Sequence, residues 1–557
     1  MSLDRRSFLK LTALGAGAAA TGVSLSGSAF AEAVGVDPAA VFQYGVAAGD
    51  PLPDGLLLWT RVTPDPSASP GSGRGARTPV RWLVATDPRL KKVVRSGSVR
   101  TDPARDHTVK VAVDRLEPGT TYYYGFEAKG RLSRVGRART APAPGSTPER
   151  LRLGLVSCSN YAAGFFGGYR YLAQRRDLDL VLHVGDYIYE YGDGEYGSLR
   201  PLDPSDEIVS LEDYRRRHAL HKADPDLSAL HAAAAWVTTI DDHEVTNDTW
   251  REGAQNHQAD AEGDFRARRR AAYQAYLEWM PVRETTEVDG EPRLYRTLRF
   301  GTLADLVVLD LRSYRDRQLQ SPQPYAEAAN PARTMLGAAQ KSFLESELAR
   351  PARWKLVANS VQMMTVNYPA GFYPTGNGTF RNVDAWDGYT AERTAVLTRA
   401  ASASADTVFL TGDIHSTWAA DLPVGGRSVA TEFVCTSVTS DNLNEILSLP
   451  PRSPASLRFE QGVRALSPDV RLLEFDSHGA SVVDVTADRV QCDWFYVSDR
   501  TDPAATISAA YSAQTVHGSR RVTPVLPLYA PAPVADDVEP DQHEGKAPKP
   551  QPKSLRV

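Results

Sequence analysis

Cysteine is scarce: Cys158, Cys435 and Cys492 are the only three in 557 residues. That number excludes a disulfide-built scaffold, and an odd count leaves at least one thiol unpaired or otherwise engaged. A Cys435–Cys492 bridge, leaving Cys158 free, is one pairing open to them. Long hydrophobic runs are missing too. No segment of the mature chain approaches the ~18 consecutive apolar residues of a membrane span, so no transmembrane segment is expected there. Neither charge sign dominates, with 63 Lys+Arg against 68 Asp+Glu and a formal net charge of −5. A dedicated nucleic-acid-binding surface would make the chain visibly basic, so none is expected. The remainder, 42% hydrophobic and 24% charged, is ordinary globular composition. At ~100–200 residues per domain, the length allows one large domain with one or two smaller ones.

The N-terminus reads as an export signal. Asp4-Arg5-Arg6-Ser7-Phe8-Leu9-Lys10 is a twin-arginine run, followed by a weakly apolar stretch from Leu11 to about Leu25. Ala29-Phe30-Ala31 then supplies a small-x-small cleavage site. Residues 1–31 are therefore expected to be a Tat signal peptide. The stretch is too short, and too rich in Gly, Ala, Ser and Thr, to span ~30 Å of hydrocarbon. The expected location is secreted or extracytoplasmic, with the Tat export machinery as a partner.

Residues 38–145 have an all-β texture. Gly55 to Thr60 and Val80 to Val84 read as short strands between Pro, Gly and Asp turns. The run Leu116 to Tyr124, with its three tyrosines, resembles the tyrosine-corner strand of fibronectin type III-like sandwiches. Ala141-Pro142-Ala143-Pro144-Gly145 is a linker. Over 150–520, apolar runs of strand length alternate with helical patterns such as Phe265 to Trp279 and Ala338 to Ala349, which predicts α/β layers. The tail 531–557, rich in Pro, Asp, Glu and Lys, is expected to be disordered. No internal repeat is visible.

What ends each strand-like run is the informative feature. Leu151 to Ser157 runs into Cys158, and Leu180 to Gly185 runs into Asp186, with Tyr189 three residues on. Trp236 to Ile240 runs into Asp241-Asp242-His243-Glu244, Val408 to Gly412 into Asp413 and His415, and Lys355 to Ala358 into Asn359. Ligands of α/β sheets bind outside the carboxyl ends of strands. One Gly-Asp ending is usually only a turn, but four endings that carry a thiol, carboxylates, an imidazole and a phenol point to metal chemistry. Cys158, Asp186, Asp242 and Asp413 bring four negative charges when ionised, and Tyr189 a fifth. Without a counter-ion they raise one another's pKa steeply. A trivalent and a divalent cation together balance five. Ferric iron fits a phenolate and a thiolate, whereas an oxygen site suits calcium or another hard divalent ion.

Gly185-Asp186-Tyr187-Ile188-Tyr189, Asp241-Asp242-His243-Glu244 and Gly412-Asp413-Ile414-His415 resemble the motif blocks of the metallophosphatase superfamily. Ser157-Cys158, the run Leu309 to Asp316 and the opening Gly45 to Pro51 narrow the resemblance to the alkaline phosphatase D family. The likeness covers roughly residues 42–500. It implies a four-layer α/β/β/α sandwich behind an N-terminal fibronectin type III-like β-sandwich. It also implies Fe3+ with Ca2+ as cofactors. Cys158, Asp186, Tyr189 and His415 would ligate the iron. Asp186 would bridge to a calcium side with Asp242, Asp413 and Asn359. A Cys stands where the wider superfamily has a first Asp, and an Asp where it has an Asn before the His-Glu pair; both are normal for this family.

The implied activity is hydrolysis of a phosphate ester by a metal-activated hydroxide. A small-molecule phosphomonoester is the first expectation for its substrate. The family also includes phosphodiesterases, among them a streptomycete phospholipase D, so a diester or phospholipid is the alternative. A third alternative, from another class, is a non-catalytic exported binding protein. His243 is read as general acid to the leaving alkoxide or as a phosphate contact, against a role in orienting a ligand. Arg312 is read as a phosphate holder or as the partner of Asp310 or Asp316. The basic run Arg266, Arg268, Arg269 and Arg270 is expected to be a solvated helix face, and His183 a core residue. Aromatics between Tyr368 and Tyr389, including Phe372, Tyr373, Phe380 and Trp386, are expected near the mouth, with segments after Phe475 as a rival cap. On the ferric reading, Tyr189→Phe removes a phenolate-to-iron absorption band; purified protein that holds only zinc and lacks the band contradicts it.

Overall fold

Strands buried on both faces lose the in–out alternation of half-exposed strands and become continuous apolar runs. The runs at Leu180–Val184, Ala235–Thr239, Ala304–Val308, Trp354–Asn359 and Asp406–Thr411 are such strands, buried at every residue. The computed structural model describes residues 41–284, 287–288, 291–319, 326–369 and 381–526. The signal 1–31, the tail 531–557 and Phe372, Tyr373 and Phe380 lie outside the described residues.

Two large sheets carry the chain. One has ten strands, in the order Val522–Val525, Ile507–Val516, Arg489–Val497, Gly479–Thr486, Arg150–Val156, Leu180–Val184, Ala235–Thr239, Val46–Leu52, Gly55–Arg61 and Thr108–Val113. The other has seven, in the order Arg296–Phe300, Ala304–Val308, Trp354–Asn359, Asp406–Thr411, Arg427–Val434, Thr417–Val424 and Val470–Glu474. Their centres are parallel: Arg150–Val156 with Leu180–Val184 and Ala235–Thr239, and Ala304–Val308 with Trp354–Asn359 and Asp406–Thr411.

Side-chain alternation along these strands decides the layering. Leu153, Leu155 and Leu182 of the first sheet share one core with Leu306, Leu356 and Leu410 of the second. The opposite face of the first sheet, with Val181 and Trp236, packs on helices Leu211–Ala223, Pro225–Ala233 and Phe265–Trp279 through Leu220, Leu227 and Tyr273. The opposite face of the second, with Val307 and Phe409, packs on Gly337–Ala349 and Thr390–Ala401 through Leu344 and Val396.

The first strands of the chain run into the ten-stranded sheet. Val46–Leu52 pairs in parallel with Ala235–Thr239, with Ala48 opposite Ala235. A five-stranded sheet of Val93–Arg100, Pro79–Ala85, Thr121–Ala128, Arg131–Leu132 and Gly136–Arg139 faces this edge across a shared core of Val46, Leu58, Val80, Val111 and Tyr124. Glu117 N–H donates to the Tyr122 hydroxyl at 2.8 Å. At the junction, a Cβ on Gly49 would stand 1.8 Å from the Pro281 carbonyl oxygen. Asp50, at φ 41°, accepts from Arg296 at 2.6 and 3.0 Å.

One expectation is corrected here, and one open pairing is settled. Arg268 and Arg269 are buried. Arg268 is held by Glu207 at 2.9 Å, Glu262 at 2.8 Å and the Ile208 carbonyl at 2.8 Å, so the basic run is only half a solvated face. No Cys435–Cys492 bridge forms, and all three cysteines are free and buried. His183 is buried beside Trp236, with Nε2 3.0 Å from the Tyr169 hydroxyl.

Candidate metal centre

An L residue avoids the left-handed region because its Cβ crowds the backbone. Cys158, Asp186, Asp413 and His415 nevertheless take φ values of 58°, 57°, 67° and 55°. They follow the carboxyl ends of three parallel strands, where the chain turns sharply off the sheet. Each such residue costs about 1–3 kcal/mol, so the surroundings must over-determine the turn. The glycines in front show how close the loops come. A Cβ on Gly185 would sit 2.4 Å from Asp241 Cβ, and one on Gly412 would sit 2.6 Å from Ser157 Oγ. Each Gly-Asp pair is therefore a turn and a donor at once.

These turns assemble two donor groups that share one carboxylate. Ligand atoms of Cys158, Asp186 and His415 all lie within 4.8 Å of one another, as do those of Asp186, Asp242 and His243. Tyr189 joins the first group: its hydroxyl lies 3.0 Å from Asp186 Oδ2 and 3.4 Å from His415 Nε2. His415 Nδ1 is 2.7 Å from the Asp441 carbonyl, which makes Nδ1 the protonated nitrogen and leaves the Nε2 lone pair for a cation. Asp186 Oδ1 is buried without a hydrogen-bond partner. Asp413 reaches the same region, with Oδ1 3.4 Å from Arg312 Nη2.

Charge is the governing term. Burial, reinforced by Asp241, Asp242 and Glu244 against a lowering by His243, pushes Asp186 well above the usual carboxylate range. Burial and then Asp241 do the same to Asp413, and burial and then Asp186 raise the Cys158 thiol and the Tyr189 phenol. Burial works against charge on His243, but Asp242, Glu190 and Asp186 outweigh it and lift the imidazole to about 10. A cation reverses this penalty, because it favours the ionised form of every donor around it. Thiol, phenol, imidazole and carboxylates converging on an orphaned oxygen fit that cation.

Several groups that sequence reasoning missed hold the donors in place. Glu244 accepts the backbone N–H groups of Asp186, Tyr187 and Asp241 at 3.1, 2.7 and 2.7 Å. Glu190 sits 2.7 Å from His243 Nδ1 and also accepts from Asn247 N–H at 2.8 Å. His243 packs on the Tyr189 ring at 4.2 Å, and its Nε2 has no hydrogen-bond partner. Glu244 at least stood in a recognised motif; Glu190 had no such signal.

Arg312 differs from its expected partners. Its guanidinium, fully buried, binds Asp241 through two bonds of 2.5 and 2.8 Å and Asp384 at 2.7 Å. Asp310 instead caps the turn, accepting Arg312 N–H at 3.1 Å and Ser313 N–H at 2.9 Å. Asp316 accepts Thr334 N–H at 2.9 Å and pairs with Arg251 at 3.0 Å. Asn359 is tied to its neighbours: its Oδ1 accepts the Trp386 indole N–H at 3.0 Å, which leaves a second lone pair, and its Nδ2 donates to Thr411 Oγ1 at 3.1 Å. Trp386 is itself buried, so it forms no part of an exposed mouth.

Comparison with known proteins agrees on most of the chain. The family described as PhoD-like phosphatase matches residues 153–494, and its N-terminal domain matches residues 29–142. The chain is similar to alkaline phosphatase D of Bacillus subtilis (strain 168), at 40% identity over 462 residues, 79% of this chain and 76% of the relative. It also resembles a solved structure of PhoD, with TM-score 0.78 and 35% identity over 87% of this chain and 92% of the other.

Replacing Glu244 by Gln turns an acceptor of three N–H groups into one that must present an NH2 to some of them. Glu244→Gln is expected to cost about 3 kcal/mol, read as a lower denaturant midpoint. An unchanged midpoint rejects the clamp.

Proposed function

Because the chain belongs to the PhoD-like phosphatase family, we propose that this phosphoric ester hydrolase is an exported phosphomonoesterase of the alkaline phosphatase D type, working with two bound cations. The observation that carries this is the shared Asp186, with one oxygen unpartnered, between the two donor groups. Cys158, Tyr189, His415 and Asp186 would hold Fe3+, since a thiolate and a phenolate favour a strong Lewis acid. Asp186, Asp242 and Asp413 offer hard oxygens that suit Ca2+. Such a cation pair supplies Lewis acidity for a water nucleophile and for the phosphoryl oxygens.

The chain's own groups supply the rest. Glu190 fixes His243 Nδ1, so the proton available for transfer lies at Nε2, beside Asp186 and Asp242. Glu190, buried against Nδ1 and outside both donor groups, favours the protonated ring that a general acid to the leaving alkoxide needs. Arg312, already engaged by Asp241 and Asp384, acts as a positioning residue: its Nη2 also stands 3.4 Å from Asp413 and 3.5 Å from Asp242. The core shared between two helix-flanked sheets supports the four-layer reading, and the Glu117–Tyr122 bond supports the fibronectin-like one. Export rests on the twin-arginine segment of residues 1–31. Among the described residues, no helix is long and apolar enough to cross a membrane.

Leaving-group dependence tests the proton donor. His243→Gln is expected to lower kcat by about 10²–10⁴-fold on an alkyl phosphate and far less on p-nitrophenyl phosphate, whose phenolate leaves without protonation. Equal losses on both substrates reject the role.

A further inference from the structure

The donors of the first group are contributed by three strand ends, yet they meet again on one short segment that offers no ligand atom. Residues 436–442 follow the Arg427–Val434 strand and meet the ten-stranded sheet at the isolated bridge Ser157–Ser437 and at Gly479, whose N–H donates to the Ser437 carbonyl at 3.0 Å. Ser440, fully buried there, places Oγ 2.6 Å from the Tyr189 hydroxyl and 2.9 Å from the Cys158 carbonyl. The N–H groups of Thr439 and Ser440 each lie 3.3 Å from that same carbonyl. Asp441 then holds His415 Nδ1 through its carbonyl at 2.7 Å, and Ser437 N–H donates to the His415 carbonyl at 3.1 Å. Cys158, Tyr189 and His415 are thus all gripped by this segment.

A serine hydroxyl carries one proton. The Cys158 carbonyl already has two N–H groups near it, so that proton is available to the Tyr189 oxygen. Tyr189's own proton has Asp186 Oδ2 at 3.0 Å. The phenol oxygen can therefore accept from Ser440 whether or not it keeps its proton, and its position is fixed either way. The segment is itself clamped. Arg500 Nη2 lies 2.6 Å from Asp441 Oδ1 and 3.0 Å from Glu445 Oε1, and Nη1 donates to the Thr439 carbonyl.

We propose that Ser440 is a positioning residue of the metal centre, its hydroxyl holding the Tyr189 oxygen while its main-chain N–H keeps the Cys158 carbonyl in register with the His415 ring, with Arg500 clamping the segment that carries it. This rests on the reading of Tyr189 as a metal ligand. The test is a double-mutant cycle on the full chain, with bound metal counted per chain during chelator competition. Ser440→Ala is expected to weaken metal retention about 10–100-fold, and Tyr189→Phe/Ser440→Ala to retain no less than Tyr189→Phe alone, because the serine acts through the phenol. Wild-type retention in Ser440→Ala, or losses that multiply in the double variant, overturn the proposal. Wild-type retention in Tyr189→Phe instead removes the ligand reading and the proposal with it. Arg500→Gln touches no ligand and serves if Ser440→Ala does not fold: weaker retention is expected, and unchanged retention counts against the clamp.

Discussion

Like charges brought together away from water repel one another, and protein surroundings screen them far less than solvent does. Asp186, Asp241, Asp242 and Asp413, with the Cys158 thiol and the Tyr189 phenol, occupy one buried region. Arg312 offsets part of this: one guanidinium lies within reach of Asp241, Asp242, Asp384 and Asp413. Beyond that guanidinium stand His243 and Arg315, and Arg315 is paired with Asp384. The remaining imbalance is what resident cations would relieve, and the fold is arranged around it.

That arrangement depends on rigidity. Four donor residues hold left-handed backbones at strand ends, and such conformations persist only where neighbours leave no alternative. Two close-packed sheets supply the frame. Buried carboxylates then finish the work by gripping main-chain N–H groups: Glu244 ties the Asp186 loop to Asp241, and Glu190 ties the His243 ring to the loop at Asn247. The N-terminal strands belong to the same frame, since Val46–Leu52 extends the sheet that presents Cys158 and Asp186.

What the sequence revealed, and what it hid, follows from the range of each interaction. Asp186, Asp242, Asp413 and His415 were legible because each closes an apolar run within a few residues. Parallel strand ends must then converge on one edge. The Arg312 partners were not: Asp310 and Asp316 are near in sequence, but local turns claim them, while Asp241 and Asp384 lie 71 and 72 residues away. Asn359 ends its strand as the other donors do, but the Trp386 indole that bonds its oxygen lies 27 residues on. Ser440 stands 251 residues from Tyr189 and carries no motif. The buried half of the Arg266–Arg270 run was hidden for a further reason. Its partners are Glu207, in a loop, and Glu262, at the end of the short helix Ala259–Glu262, neither of which pattern alone places.

On the reading proposed above, this acid-rich centre works only with cations in both donor groups. Metal counting on protein recovered after native export, alongside hydrolysis of p-nitrophenyl phosphate before and after stripping, tests it most directly. A metal ion for each donor group is expected, iron among them, with activity lost on stripping and regained on reloading. Full activity in protein stripped of metal would contradict it.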